Sequence, residues 1–165
     1  MKLLTTLFAL LIANVSYAEQ TLSMPAGEVI LEVRGAISHT NVDDEAHFDR
    51  AMLEALPSGT ITTANHVVSP SVEYKGPILS ALLEAVGAQG KTVRVIALDD
   101  YSSELSYDDI KKYGVLLATH EGGRQMTLDD RGPLFVVFPF DEHKELRQDL
   151  YYSKSVWQVM SIEVE

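Results

Sequence analysis

The chain contains no cysteine. That single absence removes thiolate nucleophiles, iron–sulfur clusters, cysteine-ligated metals and disulfides together. The fold must therefore stand on its core alone. Basic residues are also scarce, with 13 Lys and Arg against 24 Asp and Glu and a formal net charge of −11. A field of that sign disfavours nucleic acid and anionic membrane surfaces as partners. Beyond Val15 no apolar run approaches the roughly 20 residues of a spanning helix, so no membrane insertion is expected. Gly-x-Ser-x-Gly, a Walker loop, a dinucleotide fingerprint and the alternating Asp/Asn calcium loop are all missing. Motifs alone name no enzyme class.

What is present begins with a leader. Lys2 gives a positive start, Leu3 to Val15 is largely apolar, and Ser16-Tyr17-Ala18 places small residues at the cleavage-defining positions. This predicts a secretory signal cut after Ala18 and a periplasmic protein. Residues 19–165 then form one domain, long enough to bury about two thirds of its unfolded surface. Loss of Lys2 makes the remainder one unit more acidic.

The stretch that organises this domain is Arg131-Gly132-Pro133-Leu134-Phe135-Val136-Val137-Phe138-Pro139. Five apolar residues between Gly-Pro and Pro read as a strand buried on both faces, with layers required on either side. Glu28–Gly35 reads as another strand. Phe48, Met52, Leu53 and Leu56 recur at helical spacing before Pro57-Ser58-Gly59. Thr60–Val68 is β-branched at both ends and reads as a strand stopped by Ser69-Pro70. Gly76-Pro77 opens a helix with Ile78, Leu79, Leu82, Leu83 and Val86 on one face and Gly87 as its stop. Lys91–Leu98 and Val115–Ala118 are strands, Ser106 and Asp109 form a capping box for a helix through Tyr113, and Glu121–Arg124 is a turn. Asp141–Asp149 is a loop leading to a helical turn. The closing strand, Ser155–Val164, should turn Val156, Met160, Ile162 and Val164 to the core and Trp157, Val159, Ser161 and Glu163 away from it. The fold class is α+β, a single compact domain of mixed strands with short helices.

The histidines are His39, His47, His66, His120 and His143, and none has a His-x-x-x-His spacing. Each is expected to be hydrogen-bonded or at the surface; His66 stands out because it sits beside Asn65 in a β-branched strand. The paired carboxylates, Asp43-Asp44, Asp99-Asp100, Asp108-Asp109 and Asp129-Asp130, point to opposite faces wherever they lie in strands. Asp108-Asp109 suits a helix start. Asp99-Asp100 closes a strand beside Tyr101, and strand ends are where sites form.

Taken together, several segments resemble the oxidoreductase molybdopterin-binding domain, the fold of sulfite oxidase. They are Tyr74-Lys75-Gly76-Pro77-Ile78-Leu79 with Leu82-Leu83, Ala97-Leu98-Asp99-Asp100-Tyr101-Ser102, and Val115–Ala118 with Glu121-Gly122-Gly123. Arg131-Gly132-Pro133-Leu134 to Pro139 and Ser155-Val156-Trp157-Gln158 with Ile162-Glu163-Val164 complete the set. The likeness runs from about Glu28 to the end and is greatest to short, exported, stand-alone forms. It implies a sulfite oxidase-like fold and a cofactor cleft in which Tyr101 matches a tyrosine beside the metal. The cysteine that ligates molybdenum in such enzymes would fall on Thr60–Val68, where Thr62, Thr63, Asn65 and His66 stand instead. Hydroxyl and amide groups are not soft ligands. The leader also lacks any arginine, so it is not the twin-arginine type that exports folded, cofactor-loaded proteins.

The expectation is therefore an exported, non-catalytic binding or sensory module without a cofactor. Its former cofactor cleft, with Thr63, Asn65, His66, Asp100, Tyr101 and Arg131 as ligand-binding candidates, would take a small ligand or the periplasmic segment of a membrane sensor. The alternative is a molybdopterin-dependent oxidoreductase, or a pterin binder, with a metal ligand other than cysteine, His66 being the candidate.

Overall fold

The computed structural model describes residues 22–165, and the leader lies outside them. In Val29–Gly35 (β1), alternation buries Leu31 and Val33 and leaves Glu32 and Arg34 on the opposite face. Ala46–Asp49 (β2) pairs antiparallel with β1, and Asp49 caps the helix Arg50–Glu54 (α1). The Asp49 carboxylate accepts from the Met52 N–H at 2.9 Å and from the N–H groups of Ala26 and Gly27 at 2.8 Å. These bonds, Met52 foremost, hold its pKa below the usual carboxylate range. Ser58–Thr63 (β3) pairs with Val72–Pro77 (β4), and Leu79–Ala85 forms α2. Thr92–Ala97 (β5) and Ser102–Ser106 (β6) make a hairpin leading into Tyr107–Tyr113 (α3). Then come Leu116–Ala118 (β7), His120–Glu121 (β8), Arg124–Gln125 (β9) and a 3-10 turn at Leu128–Asp130. Phe135–Val137 (β10), a second 3-10 turn at Lys144–Leu146, Asp149–Tyr152 (α4) and Val159–Val164 (β11) complete the chain.

Three sheets result. The largest has the order β2-β1-β11-β5-β6, with β1 and β11 parallel and its other pairs antiparallel. A four-stranded sheet runs β3-β4-β8-β9, and β10 pairs with β7 alone. The β10–β7 pair divides the core. Val136 and Leu117 join a large cluster with Leu31, Val95, Leu105 and Ile162 of the five-stranded sheet and Leu79, Leu82 and Leu83 of α2. Phe135, Val137, Leu116 and Ala118 join a smaller one with Ile61, Tyr74 and Met126. The stretch expected to be buried on both faces is so, with Leu134 to Phe138 at most 1% exposed. No helix among the described residues is long and apolar enough to cross a membrane.

Local rules account for several departures from the sequence reading. Phe48 belongs to β2, not to a helix, because Asp49 caps α1 by accepting from the Met52 N–H and so sets the helix to start only at Arg50. Gly76 and Pro77 end β4, and α2 begins only at Leu79. The strand expected over Thr60–Val68 stops at Thr63: Asn65 Oδ1 accepts from the N–H groups of Val67 and Val68 at 2.9 and 2.8 Å and turns the chain. In the last strand Val159 is fully buried and Met160 only half so, the reverse of the expected faces. Gln158 has a left-handed φ of 51°, and the pairing register shifts between Val159 and Ser161, which resets the alternation. The Ser106 cap is as expected, its hydroxyl accepting from the Asp109 N–H at 3.1 Å. So is the turn at Gly122-Gly123, whose φ angles of 56° and 76° suit a two-residue hairpin.

Asp141, just past β10, ties the middle layer to the end of β3. Its N–H donates to Thr63 Oγ1 at 3.2 Å, while its carboxylate accepts from the Ala64 N–H at 3.1 Å, Arg147 Nη2 at 2.7 Å and the Ser71 hydroxyl. The Ser71 bond, ahead of the Ala64 and Arg147 contributions, holds this carboxyl below its usual range despite its partial burial.

Two outcomes follow from this architecture. Gly76 faces the backbone of β7, and a methyl group there would lie 2.7 Å from Ala118 Cα and 2.9 Å from Thr119 N. Gly76→Ala is expected to cost about 1–3 kcal/mol by forcing the two sheets apart, read from the urea unfolding midpoint. Asp141→Asn is expected to lower stability at neutral pH. A depressed carboxylate stabilises fully above its unfolded pKa of about 3.9 and loses that contribution as pH falls through the folded value. The stability difference between the two proteins should therefore shrink below about pH 4, and a difference that grows in acid would refute the assignment.

Candidate functional site

A cavity of about 200 Å³ opens where the β5–β6 turn, the end of α4 and the approach to β11 meet. Its lining residues are His66, Ala97, Asp99, Tyr101, Tyr152, Ser153, Ser155 and Trp157. The β5–β6 turn is held by the Ala97 N–H donating to the Tyr101 carbonyl at 2.9 Å and the Tyr101 N–H donating to Asp99 Oδ1 at 3.1 Å. Asp100 takes the left-handed position of this turn, with a φ of 65°. Tyr101 then reaches across the opening and donates its hydroxyl to the Ser153 carbonyl at 2.8 Å.

Trp157, the only tryptophan of the chain, is positioned from both sides. Before it, the Val156 carbonyl accepts from the Val136 N–H of β10 at 2.8 Å. After it, Gln158 donates its N–H to the Arg131 carbonyl at 2.9 Å and its side-chain amide to the Leu128 carbonyl at 2.8 Å, while its own carbonyl accepts from the Leu98 N–H at 3.0 Å. A non-glycine residue in left-handed backbone persists only where its surroundings fix it, and here three hydrogen-bonded neighbours, Arg131, Leu128 and Leu98, do so. Three of the four non-glycine residues with positive φ, Asp100, Arg131 and Gln158, belong to this corner of the molecule. The His66 ring lies 5.2 Å from that of Tyr152 and 6.3 Å from that of Trp157, tilted about 40° to each. These separations are those of interacting rings.

The electrostatics are one-sided. Asp99 is the only lining carboxylate, and no Lys or Arg lines the cavity. Aromatic faces are electron-rich, so the cavity suits π systems, N–H donors and cations more than anions.

Of the residues singled out in the sequence, His66 and Tyr101 come together here and the others do not. Thr63 is fully buried at the end of β3, with its hydroxyl donating to the Ala64 carbonyl and accepting from Asp141. Asp100 is exposed on the far side of its turn; Asp99 takes the lining position instead. Asn65 spends its side-chain oxygen on its own loop. Arg131 is committed to Glu121, its Nη2 donating to Oε1 at 2.6 Å and to Oε2 as well. Glu121 also accepts from the Tyr74 hydroxyl at 3.2 Å, and burial, then the Glu121 charge, pushes that phenol up to about 12. Tyr74 therefore stays a protonated donor, packed edge-on against Phe135 at 5.6 Å, and this triad braces the smaller core. Tyr152, Trp157, Ser153 and Ser155 were not legible as site residues. A large aromatic left 37% exposed, as Trp157 is, becomes visible only when its strand is seen to start later than its composition suggests.

No family model matches the chain, and no curated protein matches it. Among solved structures it is similar to the sulfane dehydrogenase SoxCD from Paracoccus pantotrophus, at 16% sequence identity and a TM-score of 0.60. The match covers 81% of this chain and 37% of that one, so the chain spans little more than a third of the structure it resembles. At that identity the likeness is one of fold alone: an α+β domain whose course follows part of that structure.

Proposed function

We propose that this protein is an exported, non-catalytic ligand-binding module on a molybdopterin-oxidoreductase-like fold, and that its aromatic cleft takes a small planar heterocycle. One observation carries the reading: His66, Tyr101, Tyr152 and Trp157 surround a single cavity with one carboxylate and no cation. Rings so placed stack on a flat π system, and a carboxylate accepts in parallel from the two N–H groups of an amino-lactam edge, an exocyclic amine beside a ring N–H. An unconjugated pterin has both features and is the ligand that the fold suggests.

The complete molybdenum cofactor suits these residues poorly. The chain offers no thiolate, and the Thr63 hydroxyl is already engaged. His66 lies against two rings and would be the lone imidazole at the site. A phosphate-bearing pterin needs Arg or Lys at its phosphate, and the lining has neither. The cavity, about 200 Å³, has room for a bicyclic ring.

The opening of the cleft supports a partner. Val67, Leu98, Tyr101, Leu150 and Trp157 are all exposed, and each either lines the cavity or lies within two residues of one that does. An apolar rim of this kind fits docking by another protein. The periplasmic segment of a membrane sensor would there read whether the cleft is filled.

The reading is tested with Trp157, whose emission is the protein's only tryptophan signal. Titration with an unconjugated pterin, in oxidised and tetrahydro forms, is expected to quench it saturably at one ligand per chain. Asp99→Asn should weaken binding at least tenfold, the order expected for losing a charged hydrogen-bond acceptor. Trp157→Phe should abolish the optical signal while calorimetry still records binding. Unquenched, non-saturable titration of the unaltered protein would remove the pterin class, and stoichiometric molybdenum in protein isolated from its native host would remove the non-catalytic reading.

A further inference from the structure

We propose that the outer face of the β1–β2 hairpin is a site for a divalent transition-metal cation, of which Zn²⁺ is the probe, with Glu32, Glu45 and His47 as ligands. The three are far from any metal motif in sequence and are brought together by strand pairing. Glu32 of β1 stands directly opposite His47 of β2. Glu45 is two residues from His47 and so shares its face, opposite the buried Ala46 and Phe48. One donor atom from each lies within 4.8 Å of the others.

The donor set has the chemistry of such a site. One imidazole with two carboxylates suits Zn²⁺ and its neighbours better than Mg²⁺ or Ca²⁺, which prefer oxygen alone. Ligands about 2.1 Å from one ion sit at most about 4.2 Å apart, so a small side-chain rotation would close the group on a metal. His47 Nε2 is 2.8 Å from Glu45 Oε2, and the two side chains are 18% and 36% exposed, sheltered yet reachable. Among the described residues no Lys or Arg forms an ion pair with Glu32 or Glu45, so two carboxylates and one imidazole gather here without an ion-paired basic side chain. A divalent ion would relieve that charge.

The backbone is already in place for it. Asn41 brackets His47, its side-chain amide donating to the His47 carbonyl at 2.8 Å and its Oδ1 accepting from the His47 N–H at 2.7 Å. It also donates to the Ser23 carbonyl at 2.8 Å, which ties the lead-in to the same corner. Val42 and Glu45 close a tight turn in which Asp43 takes a φ of 48°. An ion at this position would clamp the edge strand β2 onto β1.

Calorimetric titration of the tag-free, EDTA-stripped protein with ZnCl₂ tests the assignment. One ion per chain is expected, with a rise of several degrees in the unfolding temperature at saturation. His47→Ala and Glu32→Gln should each weaken binding at least tenfold, with unchanged circular dichroism. His143→Ala, which removes a comparable exposed pair between His143 and Glu145, should bind as the unaltered protein does. No saturable binding by the unaltered protein, or full binding by His47→Ala, overturns the proposal.

Discussion

The pairing of β10 with β7 puts two strands where neither face reaches water, and the consequences spread outward from there. A buried strand must satisfy each N–H and C=O internally and needs apolar side chains on both sides. Val136 and Leu117 point into one cluster, Phe135 and Ala118 into the other, so the pair serves two cores at once. It needs a cover on each side, and the five-stranded and four-stranded sheets provide them. Gly76 shows how tight the arrangement is, since the second cover approaches β7 closely enough to exclude a side chain.

The same constraint shapes the cleft. The β10 backbone does not stop at its partner strand: the Val136 N–H reaches the Val156 carbonyl, and the Leu134 carbonyl accepts from the Val159 N–H at 3.0 Å. The chain from Val156 to Val159 is thus held against the middle layer before it enters β11. With both flanks fixed, Trp157 is turned outward through the left-handed Gln158. Its exposure is a product of the buried layer, and the His66 ring, from the loop after β3 and itself against Tyr152 of α4, arrives at the same place. A rigid support under an exposed ring is what ordered stacking requires, because a mobile ring would lose more freedom on binding.

Much of the frame could be read from composition. Gly-Pro and Pro around five apolar residues marked the middle strand, and Ser106 with Asp109 marked a helix start that the structure keeps. The site was less legible, for physical reasons. Asn65 looked like a strand residue aimed at a cleft, yet an Asx turn spends its side chain locally. Arg131 is a ligand-binding candidate by sequence, but its partner Glu121 lies ten residues away across a hairpin, and ion pairs of that kind have no spacing rule. Asp99 and Asp100 are indistinguishable in sequence; the left-handed φ of Asp100 decides which of them faces the cavity. His47 is the sharpest case. Helical metal motifs repeat at fixed intervals along one chain segment, whereas a cross-strand site depends on register, and register is a tertiary property.

The proposed cation site and the aromatic cleft lie at opposite ends of one sheet. Glu32 and His47 belong to β1 and β2 at one edge, while Asp99 and Tyr101 cap the turn between β5 and β6 at the other. Between them runs β11, whose partners are β1 and β5 and whose entry is Gln158. Two sites separated in this way act independently unless an element between them has two arrangements. From Ser161 to Val164 β11 is paired on both sides, and its entry is fixed by hydrogen bonds to Arg131, Leu128 and Leu98. Its pairing supplies no second arrangement of that kind. Occupancy of the edge would therefore change how firmly β2 and the lead-in are held, while any message from the cleft would leave through its own exposed rim at Val67, Leu98 and Leu150.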